Sequence, residues 1–184
     1  MSRPILHREV TDLELRSDGR TLFGRIVPYG EIAEVADSAG RPYRERFVPG
    51  AFARSIAQRA EKVRLLVNHE HRTRLPIGRA VNLSEADDGL HGEFHVSATR
   101  DADEVLELVR DGVLDAFSVG FSPVRDRKAS DGTVERVEAS IRECSVVSFP
   151  AYAGAAIAGL RSLTSDASLD LRARFLELKE THHG

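Results

Sequence analysis

Apolar and polar positions alternate with a period of two along most of this chain, as in strands that keep one face in a core. From Val10 to Arg16 the apolar members are Val10, Leu13 and Leu15, Asp18-Gly19 is a turn pair, and Thr21 to Val27 carries Leu22, Phe23, Ile26 and Val27. Together they predict an opening hairpin. The segment from Glu31 to Arg46 is polar and broken by Gly40 and Pro42, which predicts a surface loop or flap. Phe52, Ile56 and Ala60 then fall at i, i+4 and i+8, predicting a short helix over Ala53 to Ala60. Val63 to His69 resumes the alternation, with His69 prolonging the face of Val63, Leu65 and Val67.

Pro76 to Ser97 reads as a hairpin of Ile77 to Leu83 and Leu90 to Ser97, with its turn marked by Asp88-Gly89. Asp101 to Arg110 is the best-marked helix: Asp101 and Glu104 are spaced as a capping box, Gly112 lies just past the end, and Ala102, Val105, Leu106 and Val109 form one stripe. It delivers the chain into Ala116 to Ser122. There Phe117, Val119 and Phe121 alternate with Ala116, Ser118, Gly120 and Ser122, so the second face is lined by small residues and leaves room for a polypeptide to lie on it. Asp126 to Gly132 predicts a hairpin tip. The returning strand, Val134 to Phe149, sets Ile141, Glu143, Ser145, Val147 and Phe149 on one face and Arg142, Cys144, Val146 and Ser148 on the other. From Ser168 to Glu180 a wide apolar stripe predicts a helix packing on two partners, the body and a second subunit. The sum is a mainly β fold with peripheral helices (α+β), one domain over 1–163 and a C-terminal helical tail over 164–184.

Composition narrows the function classes. With 184 residues and 41% hydrophobic content the chain suffices for one good core. Lys and Arg number 26 against 29 Asp and Glu, a formal charge of -3 with the signs mixed, so no basic footprint for nucleic acid or an anionic membrane is expected. No apolar run approaches the ~20 residues of a membrane span, and the start lacks the apolar core of a secretion signal. A cytoplasmic protein is expected, and the lone Cys144 agrees with a reducing compartment.

Three side chains carry candidate chemistry. Ser118 sits between two positions with little or no side chain, where a peptide could approach its hydroxyl; one more exposed strand hydroxyl is the alternative. His69 could take and return a proton near neutral pH, or simply end a strand. Glu143 is a carboxylate on a largely apolar or small-residue face, so it requires a histidine, arginine or backbone partner. If geometry brings them together, Ser118 is nucleophile, His69 general base and Glu143 the orienting acid. Two further readings stay open. His69 with His71, or His91 with Glu93 and His95, could hold a metal in a metal-dependent hydrolase. Cys144 as nucleophile would face away from Glu143.

The ordered set Phe47-Val48-Pro49-Gly50-Ala51-Phe52, Leu65-Leu66-Val67-Asn68-His69-Glu70, Pro76-Ile77-Gly78, Asp88-Gly89-Leu90, Gly112-Val113-Leu114, Phe117-Ser118-Val119-Gly120-Phe121, Glu143-Cys144-Ser145-Val146-Val147 and Pro150-Ala151 resembles the prohead (capsid maturation) serine proteases of tailed bacteriophages, the HK97-type family, distantly similar to herpesvirus assemblins. The resemblance spans about residues 10 to 155. It implies a small closed or nearly closed β-barrel, catalytic roles for Ser118, His69 and Glu143, and no cofactor or metal. Glu70 stands where the family pattern has Asp. The assemblins use a second histidine as third member. The task implied is cleavage of the scaffold segment of the major capsid protein, or of a scaffold protein, and of the protease itself, inside the procapsid in the bacterial cytoplasm. A non-catalytic scaffold-binding protein would keep the barrel without turnover.

Overall fold

The computed structural model describes residues 5–10, 12–36 and 40–148. Phe149, the 163/164 boundary and the C-terminal helix expected from the sequence lie outside the described residues. The strands are β1 (Leu6–Val10), β2 (Glu14–Leu15), β3 (Thr21–Pro28), β4 (Ala33–Ala36), β5 (Pro42–Phe47), β6 (Arg64–Val67), β7 (Gly78–Ala86), β8 (Gly89–Val96), β9 (Ala116–Lys128) and β10 (Val134–Val147). The helices are α1 (Ala53–Arg59) and α2 (Arg100–Arg110). All ten strands belong to one sheet, in the order β1-β9-β10-β6-β7-β8-β3-β2, with β5 also paired to β10 and β4 to β5.

The sheet curls until β3 returns beside β1 and β9. Contact there is close: the Leu13 N–H donates to the Asp115 carbonyl at 3.2 Å, and a Cβ on Gly24 would stand 1.7 Å from the Asp12 carbonyl oxygen. No ladder joins β1 to β3 among the described strands, so the barrel is nearly closed. Inside it Phe117, Val119 and Phe121 of β9 meet Leu65, Phe94, Ile141 and Val146, all fully buried. Phe121 packs edge-on to Phe47 at 5.0 Å, and Phe47 stacks on Phe52 at 5.2 Å. Each such side chain contributes roughly 1.5–3 kcal/mol by leaving water.

Most of the strong alternations from the sequence formed strands, but four local readings need correction. The opening strand expected over Val10 to Arg16 is divided: Val10 ends β1, which pairs with β9, and only Glu14–Leu15 pairs with β3. The polar segment after Glu31 is a hairpin of β4 and β5, and β5 runs parallel to β10. Its polarity concealed it, because its most buried polar member is the charged Glu45, 1% exposed. Helix α2 begins at Arg100 after Thr99, with no side-chain cap; Asp101 lies in the first turn, where it faces the positive end of the helix dipole. The strand read as Val63 to His69 is only Arg64–Val67 and ends in a turn.

Helix α1 and the turn before it complete the edge of β10 in the gap between β5 and β6. The Ala139 N–H donates to the Ala51 carbonyl at 2.8 Å, and the Ile141 N–H donates to Ser55 Oγ at 2.9 Å. Glu45 is clasped from both sides: Arg136 Nε donates to its Oε2 at 2.8 Å, and Arg8 Nε donates to its Oε1. Arg136 also reaches Asp126 at 2.7 Å and the Tyr43 hydroxyl at 2.7 Å. The cluster therefore ties β1, β5, β9 and β10 together. Removing one member of a buried ion cluster leaves uncompensated charge, so Glu45→Gln is expected to cost about 3–5 kcal/mol in urea unfolding. A triple change, Arg8→Leu, Glu45→Met and Arg136→Leu, should recover most of that loss.

Candidate active site

Strands β1, β9 and β10 lie side by side and stack their residues in rows. His7 pairs with Gly120, which pairs with Glu143; in the next row Ser118 pairs with Ser145. Ladder partners share a face, so Glu143 and Ser145 join Ser118 and Gly120 on the face away from the core. Strict alternation places Ile141 there as well. The register corrects this: Phe121 pairs with Ile141 and Gly120 with Glu143, leaving Arg142 as an extra residue in β10. This bulge keeps Ile141, Cys144 and Val146 in the core while turning Glu143 outward. A Cβ on Gly120 would lie 2.2 Å from Glu143 Oε1. Only glycine lets the carboxylate lie across the strand.

His69 reaches the same point from a turn rather than from a strand face. After β6, Asn68 and His69 take left-handed conformations, φ 49° and 60°, which cost of order 1–3 kcal/mol each for such residues. Bonds to β10 offset that cost. The Asn68 N–H donates to the Val146 carbonyl at 3.0 Å, and the Ser148 N–H donates to Asn68 Oδ1 at 3.1 Å. The His69 N–H donates to Ser145 Oγ at 3.1 Å. The ring then sets Nδ1 2.8 Å from Glu143 Oε1, while Ser145 Oγ donates to Glu143 Oε2 at 2.7 Å and lies 3.3 Å from His69 Nδ1.

These contacts define the electrostatics. Burial by itself would raise the Glu143 carboxyl, but His69, His7 and Ser145 hold it down to about 2. A carboxylate only accepts, so Nδ1 of His69 carries the proton it donates, and in the neutral ring Nε2 keeps the lone pair. Ser118 is fully buried, and its Oγ has no hydrogen-bond partner. The open substrate platform read from the small residues is thus covered at Ser118. Ser145, which sequence reasoning passed over, already gives its hydroxyl proton to Glu143. A cleft of about 370 Å³ opens further along the same face, between Arg54 and Gln58 of α1 and Ser122, Glu138 and Arg142. It begins past Glu143 rather than at Ser118.

His7 also escaped the sequence reading. Its Nδ1 stands 3.6 Å from Glu143 Oε1, and its ring centroid lies 3.8 Å from that of His69. No spacing links residue 7 to residues 69 and 143; only the β1–β9–β10 register does. The other histidine sets are engaged elsewhere. His71 turns Nδ1 to the His69 carbonyl at 3.2 Å, His91 pairs with Asp88 at 2.9 Å, and Glu93 pairs with Arg16 at 2.5 Å. Cys144 is buried in the core, and burial pushes its thiol well above the ordinary range.

The chain resembles known proteins over most of its length. The family model of the caudovirus prohead serine proteases matches residues 10–169. The chain belongs to that family. It is 28% identical over 156 residues to the prohead protease of Enterobacteria phage HK97, an alignment covering 83% of this chain and 66% of that relative, just under two thirds of its length. Among solved structures, the bacteriophage T4 capsid assembly protease aligns with a TM-score of 0.47 at 11% identity, over 71% of this chain and 98% of that one. His7 precedes the residues that the family model matches.

The lowered Glu143 pKa gives a signed expectation. A carboxyl depressed from 4.5 to about 2 contributes stability that is present above pH 4.5 and lost as the pH falls toward 2. Between those limits the native protein should lose roughly 3 kcal/mol relative to Glu143→Gln, measured by urea unfolding at a series of pH values. Gly120→Ala, which displaces the carboxylate, should flatten the same slope.

Proposed function

We propose that the protein is a serine endopeptidase of procapsid maturation, with Ser118 as nucleophile, His69 as general base and Glu143 as the group that orients and stabilises the imidazole. The observation that carries this reading is the 2.8 Å contact of His69 Nδ1 with a buried Glu143, beside the row that holds Ser118. With Nδ1–H committed to Glu143, Nε2 takes the Ser118 proton as Oγ attacks the peptide carbonyl, then returns it to the leaving amine. Water repeats the cycle on the acyl-enzyme. Positioned proton transfer of this kind is worth roughly 10²- to 10⁴-fold in rate.

Ser118 serves better than its neighbour Ser145 because the Ser145 proton is held by Glu143. Apo catalytic hydrogen bonds are often long, so a Ser118 Oγ without a partner is compatible with attack once a peptide is bound. Family membership supports a substrate of this kind: the scaffold segment of the phage major capsid protein, or a scaffold protein, cut within the assembling procapsid. Self-cleavage and self-association through the C-terminal segment belong to the same reading.

Co-expression with the capsid protein of the same phage tests it. Intact-mass spectrometry should show a shortened capsid protein with the native chain and full length with Ser118→Ala or His69→Ala. Shortening that persists in Ser118→Ala overturns the nucleophile. Co-purification without shortening, in the native chain too, favours a scaffold-binding role.

A further inference from the structure

Glu143 faces two histidines, and proteolysis as described uses one. Nδ1 of His7 is a buried atom without a hydrogen-bond partner, and at 3.6 Å from Glu143 Oε1 it is too far away to make that bond. One donor atom from each of His7, His69 and Glu143 lies within 4.8 Å of the other two. Two ligands of a tetrahedral zinc ion, each at about 2.0–2.1 Å from the metal, are themselves about 3.3–3.4 Å apart. The His7–Glu143 spacing matches this within a few tenths of an ångström. The 2.8 Å between His69 Nδ1 and Glu143 Oε1 needs to open by only about half an ångström once a metal takes the place of the shared proton.

We propose that His7, His69 and Glu143 form a Zn²⁺ site that switches proteolysis off. Two imidazoles and a carboxylate suit this ion, with a fourth position left for water. The inhibitory consequence rests on the serine-protease reading; the site itself rests on the geometry. Zinc takes the Nδ1 lone pair of His69, and the neutral ring then carries its proton on Nε2. That nitrogen has no lone pair left to receive the Ser118 proton, and Glu143 is withdrawn from the imidazole. Strand β1 contributes the third ligand, so the control depends on how its pairing to β9 places His7 opposite Gly120.

Binding and inhibition can be measured separately. Ser118→Ala keeps all three ligands, and His182 and His183 are changed to Ala to silence the terminal histidines. Calorimetric titration of this protein with Zn²⁺ should show one tight equivalent, and Co²⁺ should give the visible spectrum of a four-coordinate site. Adding His7→Gln should weaken binding at least ~10- to 100-fold, and His7→Cys should restore it. In the active chain, Zn²⁺ should abolish capsid-protein cleavage and a chelator should restore it. In His7→Gln, the metal should change cleavage little relative to that variant's own metal-free rate. Binding unaffected by His7→Gln overturns the site, and so does the absence of any tight equivalent. Tight binding that leaves cleavage intact overturns the switch. Cleavage that rises with Zn²⁺ and survives Ser118→Ala overturns both the switch and the nucleophile. A native chain inactive without metal counts against the protease reading alone, and the titration still decides the site.

Discussion

A buried carboxylate lying across a glycine is the constraint on which the site depends. Glu143 leaves the core face only because β10 carries an extra residue at Arg142, and it fits only because Gly120 has no Cβ. Once there, both of its oxygens need donors. His69 supplies one and Ser145 the other. The left-handed turn at Asn68 and His69 follows from this demand, since an extended continuation of β6 would carry the ring along the strand rather than back over β10. The costs of burial, bulge and turn are local and mutually compensating.

The same sheet buries a second carboxylate in a different way. Glu45 is neutralised by two guanidinium groups that stay charged at any working pH, which makes it a fixed joint among four strands. Glu143 instead accepts from an imidazole and a hydroxyl, so no permanently charged partner holds it. One arrangement resists change and the other permits chemistry. Both lie along β9 and β10, the longest strands, so the rigid cluster near the hairpin tip supports the register that aligns Gly120 with Glu143 and Ser118 with Ser145.

Family membership and the geometry bear on different questions. The match over residues 10–169 identifies the lineage. It does not include His7, which reaches Glu143 only through the pairing of β1 with β9. The acid is thus flanked by one histidine inside the matched range and one before it.

Much was legible in the sequence wherever one side chain in two had to be apolar. The period-two runs around Leu22 to Val27, Ile77 to Leu83, Leu90 to Val96 and Phe117 to Phe121 all formed strands, because burial on one face imposes that spacing whatever the partner. His69, Ser118 and Glu143 were visible as residues of suitable chemistry in suitable surroundings. Tertiary structure decided the rest. Strand β5 was hidden because its most buried polar side chain is a charged residue, acceptable only beside arginines 37 and 91 positions away. The bulge at Arg142, the turn at His69 and the place of His7 were hidden for the same reason. Each depends on which strand lies alongside, and pairing across a sheet is settled by hydrogen bonds between distant segments that local periodicity does not encode.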